Sequence, residues 1–274
     1  MKFLLCYLLL FMLCGCENAD VGLATQAGLD AVKAITLSDE AIKKMADQAI
    51  NLADQKNKIG QPDSKYARRL DKIVAAFLDK NYDCKVYFNP EINAFAMANG
   101  AIRINSGLME MMSDDEVRFV IGHEVGHIDK LHIRKQMQLA YAGSALRKGL
   151  AAQNSIVGEI AGSQLGGFVE VLLNAQFSQQ EEREADDYGL AFLQRKGCNP
   201  ASAVSALRKL ATLQVDHSFL ASHPAPGVRA DRLEGKPDPQ APQAGPDYLG
   251  KIISAVKHLA VALLTKIQGA LSGG

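Results

Sequence analysis

Two histidines four residues apart, His123 and His127, constrain this chain most, because Glu124 directly follows the first of them. Residues four apart project from one face of an α-helix, so both imidazoles would reach one ion. Glu124 lies one step round the helix, where it would address a water on that ion. Burying two such rings without partners would cost several kcal/mol, which disfavours an ordinary core helix. The spacing therefore predicts a metal-binding helix, with one Zn²⁺ per chain.

A catalytic zinc site needs a third protein ligand and keeps one position open for water. The metzincin pattern would place a glycine and a histidine where this chain has Lys130 and Ile133, so that class is excluded. A carboxylate from a later segment, predicted to be helical, is the remaining source. This segment offers several candidates: Glu181, Glu182, Glu184, Asp186 and Asp187.

The hydrophobic pattern predicts a mainly helical α+β domain over residues 37–234. Short strands are expected before the motif, with a hairpin turn at Asn99-Gly100, since both positions accept a positive φ. Ser113 and Glu116 form a capping box that would start the helix of the two histidines. We therefore expect a small antiparallel sheet beside this helix.

The N-terminus follows the pattern of a secretory signal, with Lys2, an apolar run and then the letters LCGC. A cysteine at this place resembles a bacterial lipoprotein signal. We thus expect a signal peptide over residues 1–15, lipidation at Cys16 and a tether over residues 16–36; the alternative is a plain signal peptide cut at about the same place. Glu17, instead of the aspartate that retains lipoproteins in the inner membrane, favours the periplasmic side of the outer membrane.

A proline-rich linker over residues 235–247 follows the domain, and residues 248–271 predict an amphipathic helix. This helix would lie on a lipid surface, pair with a partner or pack on the domain, and the sequence leaves these open. Basic and acidic residues balance at 30 each and tryptophan is absent, so nothing indicates nucleic-acid binding. Cys84 and Cys198 would remain in an oxidising compartment, where a disulfide is permitted.

The motif and the later segment EREAD together resemble the HtpX-like and CAAX-prenyl-protease-like zinc metallopeptidases, which have a zincin-like fold. In that family a Glu-x-x-x-Asp pair supplies the third zinc ligand from its glutamate, and the aspartate orients a ligating histidine. The resemblance implies Glu182 as the ligand and Asp186 as the orienting residue, and these two share a helix face. Glu184 stays the alternative ligand.

Two further segments carry the resemblance. SHPAPGVRADRL is similar to the family's His-Pro…Arg segment, which implies His223 and Arg229 as groups that stabilise the tetrahedral intermediate. The alternative for His223 is an ordinary loop histidine. NAFAMANGAIRINSGLM is similar to the edge strand that flanks the substrate. It implies peptide binding by β-addition at Ala94, Phe95, Ala96 and Met97, although Phe95 and Met97 suit the core equally well.

These features predict a zinc-dependent endopeptidase for misfolded or envelope proteins, in which Glu124 takes a proton from water and passes it to the leaving amine. The rival is a metal-stabilised assembly or chaperone lipoprotein with little or no proteolysis, working with envelope partners. Glu124 favours the enzyme, since a structural site prefers four protein ligands. A further alternative is a His223 loop that blocks the metal until it is displaced. His132 is expected at the helix end as a favourable positive charge.

Overall fold

The structure is a computed structural model that describes residues 37–75, 82–147, 162–173, 175–214 and 217–236. The predicted signal peptide, the tether with Cys16, the linker from residue 237 onwards and the C-terminal helix lie outside them.

The described residues form ten helices and three short strands, so the predicted mainly helical α+β architecture is confirmed. In chain order the elements are α1 (Asp39–Lys56), α2 (Lys65–Ala75), β1 (Asp83–Tyr87), β2 (Ala94–Ala96), β3 (Ala101–Asn105), α3 (Ser106–Met111), α4 (Asp114–Asp129), α5 (His132–Arg147), α6 (Gly162–Leu173), α7 (Gln179–Arg195), α8 (Ala201–Leu210), α9 (Ser218–Ser222) and α10 (Pro226–Leu233).

The sheet is mixed, with the strand order β1-β3-β2, so the prediction of an antiparallel sheet is wrong for one of its two strand pairs. The β2–β3 hairpin is antiparallel, and its turn ends at Gly100, which has a φ of 89°. Asn99 does not share that conformation. The chain reverses once before β2 and again at this hairpin, and β3 enters between the other strands. β1 and β3 are therefore parallel.

A buried arginine ties the central strand to α1. Arg103 on β3 is 1% exposed, and its Nε and Nη2 donate to the two carboxylate oxygens of Asp54 at 2.8 and 3.0 Å. The guanidinium also donates to Asp83 on β1, and Tyr87 donates to Asp54 at 2.6 Å. Because every strong acceptor in this group has a donor, the sheet can hold a charged residue in its middle.

Helices α4 and α7 approach closely because glycines stand at their contact. A methyl group on Gly126 of α4 would lie 3.0 Å from Tyr188 Cβ and 3.1 Å from Ala185 Cα. On the opposite side, a methyl group on Gly189 of α7 would lie 3.1 Å from the backbone nitrogen of His123. Small residues thus allow the acidic face of α7 to reach the histidines of α4.

The start of α4 is the predicted capping box, since Ser113 accepts from the backbone of Glu116 and Glu116 accepts from the backbone of Ser113. Glu116 also accepts from Lys209 at 2.7 Å, which joins α4 to α8. Cys84 and Cys198 are free thiols, so the permitted disulfide is not formed, and burial raises the pKa of Cys84 to about 12. Among the described residues, no helix is both long and apolar enough to cross a bilayer.

Candidate metal centre

Four buried side chains from three parts of the chain converge on one point. His123 and His127 come from α4, Glu182 from α7 and His223 from the end of α9, and their donor atoms all lie within 4.8 Å of one another. The Nε2 atoms of the two α4 histidines are 3.0 Å apart. Glu182 lies 3.3 Å from His127 Nε2 and 3.7 Å from His123 Nε2, and His223 Nδ1 lies 2.9 Å from Glu182.

This donor set fits zinc. Imidazole nitrogens with a carboxylate oxygen are the ligands of catalytic zinc sites, and these side chains are at most 3% exposed. One oxygen of Glu124 is buried without a hydrogen-bond partner. Buried polar atoms are normally satisfied, so this oxygen indicates a group that belongs beside it.

The charges of the site point to the same conclusion. Glu124, Glu182 and Asp186 are buried carboxyl groups, and Arg229 is ion-paired with the last two of them. Burial raises the pKa of Glu182, but Arg229, His223 and His123 lower it by more, so this carboxylate is ionised and able to bind a cation.

Asp186 lies where the resemblance implies an orienting residue. Its Oδ1 is 3.1 Å from His123 Nδ1, on the opposite side of the ring from the convergence point. Arg229 holds this carboxylate with two hydrogen bonds, at 2.8 Å from Nε and 2.5 Å from Nη2. Its Nη1 is paired with Glu182. Arg229 therefore fixes the two carboxylates that contact the histidines. These contacts give it a positioning role in the metal site.

Of the acidic residues in the α7 segment, only Glu182 joins the donor set. Glu181 completes a capping box with Ser178 at the start of α7 and accepts from Lys135 at 2.7 Å. Glu184 lies 3.2 Å from His132, and Asp187 pairs with Arg232. Glu182 and Asp186 share one helix face, as their i, i+4 spacing indicated, and the structure shows that this face packs against α4.

Glu124 faces a narrow cleft between β2 and α6. Its carboxylate is 2% exposed and lies 3.6 Å from His223 Nε2, and burial raises its pKa. The cleft has a volume of about 30 Å³, and its walls include Phe95, Met97 and Phe177. This space has room for a water molecule but not for a peptide segment.

The four residues assigned to the substrate strand differ in their surroundings. β2 is at the edge of the sheet and pairs only with β3 among the described strands. Ala94, Ala96 and Met97 are buried, and only Phe95 is partly exposed. Met97 thus belongs to the core, as the sequence allowed, and the backbone of β2 is what this strand could offer to a peptide.

Two contacts of the His127 ring were not predicted from the sequence. Phe177 stacks on its ring, with centroids 3.7 Å apart and an interplanar angle of 21°. His132 was expected near the end of the motif helix, and it lies three residues beyond the last residue of α4. It is the first residue of α5, is 6% exposed, and lies 3.1 Å from His127 Nδ1. The only sequence signal was that a histidine follows the motif so closely.

Comparison with known proteins places this geometry in a family. The sequence profile of peptidase family M48 matches residues 63–236. Metalloprotease LoiP of Escherichia coli (strain K12) is 42% identical over 233 residues, which cover 82% of this chain and 92% of that protein. Metalloprotease YcaL of the same organism is 37% identical over 236 residues, with the same coverage of 82% and 92%.

A more distant relative, the beta-barrel assembly-enhancing protease of E. coli (strain K12), is 31% identical over 161 residues, or 52% of this chain and 31% of that protein. The family match spans more than half of the chain, and the two metalloproteases match it over most of their length. The chain therefore belongs to peptidase family M48 and is a zinc-dependent metalloendopeptidase.

Proposed function

We propose that His123, His127 and Glu182 bind the zinc ion and that Glu124 is the general base of peptide hydrolysis. The observation that carries this assignment is the convergence of three donors within 3.7 Å of one another beside a buried carboxyl group. When bound, zinc supplies a Lewis acid that polarises the scissile carbonyl and acidifies a water molecule. The remaining steps belong to the side chains around it.

Glu124 is suited to proton transfer by its surroundings. Burial raises its pKa, although His223 and His123 oppose this shift, and a raised pKa brings a carboxylate closer to the working pH of a general base. The carboxylate would accept a proton from the attacking water at one oxygen. It would then donate this proton to the nitrogen of the leaving amine.

His223 would stabilise the negative charge on the carbonyl oxygen, because both His223 and Glu124 line the cleft and the Nε2 of His223 lies 3.6 Å from the Glu124 carboxylate. In this structure its Nδ1 also lies among the metal donors, 2.9 Å from Glu182 and 3.3 Å from His123 Nε2. A catalytic zinc keeps one position free of protein ligands, so His223 has to leave that position for turnover. Arg229 would support the site through Asp186 and Glu182.

The substrate is proposed to be an extended segment of a misfolded or envelope protein. Its backbone would add to the edge of β2 that pairs with no other strand among the described residues, beside Glu124. The name of the distant relative, a beta-barrel assembly-enhancing protease, supports an envelope substrate class for this chain. A folded protein would have to present a loose segment, since the cleft requires an extended chain.

The proposed location rests on the N-terminal sequence. The apolar run and the LCGC letters predict lipidation at Cys16, which would anchor the domain on the periplasmic side of the outer membrane. Replacement of Cys16 by serine should move the protein from the membrane fraction of a bacterial host to the soluble fraction. It should also abolish incorporation of labelled fatty acid. Unchanged fractionation and labelling of Cys16→Ser would remove the anchor from this proposal.

The second candidate is an assembly lipoprotein with little or no proteolysis, and the specific observation in its favour is the fourth donor, His223, which would close the zinc shell. Glu124→Gln separates the two candidates. It removes the base without touching the ligands, so zinc content should stay at wild-type level while casein digestion falls by at least about 100-fold.

Glu110→Gln is the matched control, because Glu110 is an exposed glutamate on α3 that binds Lys65 and lies outside the metal donor group. This variant should digest casein as the wild type does. If Glu124→Gln digests casein at the wild-type rate, Glu124 is not the base. If neither the wild type nor the control digests casein while both bind zinc, the assembly role gains support.

A further inference from the structure

The ring nitrogen of His127 that faces away from the metal donors, Nδ1, is connected through contacts to His132 and Glu184. The proposed chemistry uses neither of these residues. His127 Nδ1 lies 3.1 Å from His132 Nδ1, and His132 Nε2 lies 3.2 Å from Glu184 Oε2. The two histidines are buried, whereas the Glu184 side chain is 39% exposed. A continuous series of contacts therefore joins the metal donors to the surface of α7.

Metal binding through His127 Nε2 determines where each proton of this series lies. His127 must then carry its proton on Nδ1, and this N–H donates to His132 Nδ1. His132 accepts at Nδ1 and so carries its own proton on Nε2, where it donates to Glu184. Each hydrogen bond requires the next one, because a neutral imidazole has one donor and one acceptor.

The two ligating histidines are thus held in different ways. His123 contacts the buried carboxylate of Asp186 directly, and Arg229 fixes that carboxylate. His127 contacts the imidazole of His132, and the carboxylate of Glu184 contacts the other nitrogen of that imidazole. Outer hydrogen bonds to a ligating histidine set its tautomer and ring orientation, so His132 performs for His127 what Asp186 performs for His123.

The backbone between α4 and α5 is bent so that His132 returns to His127. Leu131 has a φ of 62°, a left-handed conformation that costs a residue other than glycine about 1–2 kcal/mol. Its side chain is 57% exposed, so burial of the leucine does not offset this cost. On the other side, Gln180 donates to Glu184 at 2.7 Å and holds the carboxylate near His132.

We propose that His132 and Glu184 are positioning residues for His127, which keep its ring oriented so that Nε2 faces the metal. The proposal rests on the assignment of His127 as a zinc ligand. It gives a role to a histidine outside the zinc-binding motif and to the acidic residue that was the alternative ligand.

Zinc affinity of the full chain, measured by competition with a chromogenic chelator, tests this proposal. His132→Leu should weaken zinc binding by about 10- to 100-fold, the usual effect of losing an outer partner of a ligand. His132→Asn should bind within a few-fold of the wild type, since its amide oxygen replaces the acceptor at Nδ1. Glu184→Ala should weaken binding less than His132→Leu, and Glu110→Ala on α3 should leave it unchanged.

The absorption spectrum of the cobalt-substituted protein reports on ligand geometry and separates positioning from packing. We expect the d–d bands to shift in His132→Leu and to return in His132→Asn. If His132 only packs at the start of α5, both variants should lose thermal stability without a change in the cobalt spectrum, and the proposal fails. Zinc affinities within twofold of the wild type in both His132→Leu and Glu184→Ala would also overturn it. Glu184 is partly exposed, so Glu184→Ala tests the series even if the buried variant does not fold.

His127→Ala, in the same titration, distinguishes failure of this inference from failure of the ligand assignment. If His127→Ala keeps wild-type zinc affinity, the assignment of His127 as a ligand is wrong, and the positioning role is refuted with it. If His127→Ala loses zinc while the His132 and Glu184 variants keep it, only the positioning role is refuted.

Discussion

Replacement of Arg229 by methionine tests whether its guanidinium holds the buried carboxylates of the metal site together. Arg229 binds Asp186 at 2.8 and 2.5 Å and is also paired with Glu182. The arginine side chain is 7% exposed and the two carboxylates are at most 1% exposed. Methionine retains much of the side-chain volume but leaves both carboxylates without their main cation.

Removal of one partner from a buried ion pair costs about 3–5 kcal/mol, because the other charge stays buried and uncompensated. One guanidinium serves two carboxylates here, so we expect the upper part of this range. The zinc-free Arg229→Met protein should therefore lose about 4–5 kcal/mol of unfolding free energy. Arg229→Lys should lose less, since it keeps the charge, but not zero, since an ammonium cannot bridge a carboxylate as a guanidinium does.

Urea unfolding of the chelator-treated full chain at neutral pH, followed by circular dichroism, measures this loss. The matched control is Arg208→Met, because Arg208 also binds two carboxylates, Asp231 and Glu234, but is 39% exposed. Water replaces the lost partner there, so its effect should be much smaller. If Arg229→Met costs no more than Arg208→Met, the buried carboxylates do not depend on Arg229 and the reasoning is wrong.

Two further predictions concern the packing and the acid stability of the domain. Gly126→Val should lower the unfolding free energy by about 1–3 kcal/mol and weaken zinc binding, because the new side chain separates α4 from α7. Gly167→Val on α6, where a methyl group would meet nothing within 4 Å, should leave zinc affinity unchanged, and equal zinc affinities in the two variants would contradict the packing argument. Burial raises the pKa of Asp54, but hydrogen bonds from Arg103 and Tyr87 lower it by more, so the folded protein has the lower pKa. The resulting stability is present above the unfolded pKa of about 4 and is lost as the pH falls through the folded pKa. Asp54→Asn should therefore reduce the acid-induced loss of unfolding free energy measured by urea titrations. An unchanged slope of unfolding free energy against pH in this variant would contradict the argument.

Local rules made much of the metal centre predictable. The i, i+4 spacing places His123 and His127 on one face of a helix, whatever the tertiary structure of the rest of the chain. The same rule groups Glu182 with Asp186, and the capping box at Ser113 marks the start of α4. These features depend on helix geometry alone, so the sequence was sufficient for them.

Features that depend on distant contacts were not predictable in the same way. The parallel pairing of β1 with β3 requires β3 to enter the middle of the sheet, and no local pattern encodes that choice. The contact of His132 with His127 depends on an unusual backbone conformation at Leu131, for which leucine gives no signal. The approach of His223 depends on how α9 packs, since it comes from a segment 100 residues from His123.

The small volume of the cleft beside Glu124 has a consequence for substrate selection. A space of about 30 Å³ has room for water but not for a peptide segment, so the substrate proposed above would have to widen the gap between β2 and the wall formed by α6 and Phe177. Folded proteins would rarely present an extended segment long enough to do this. Misfolded proteins would present such segments often, so the narrow cleft would favour misfolded substrates over folded ones.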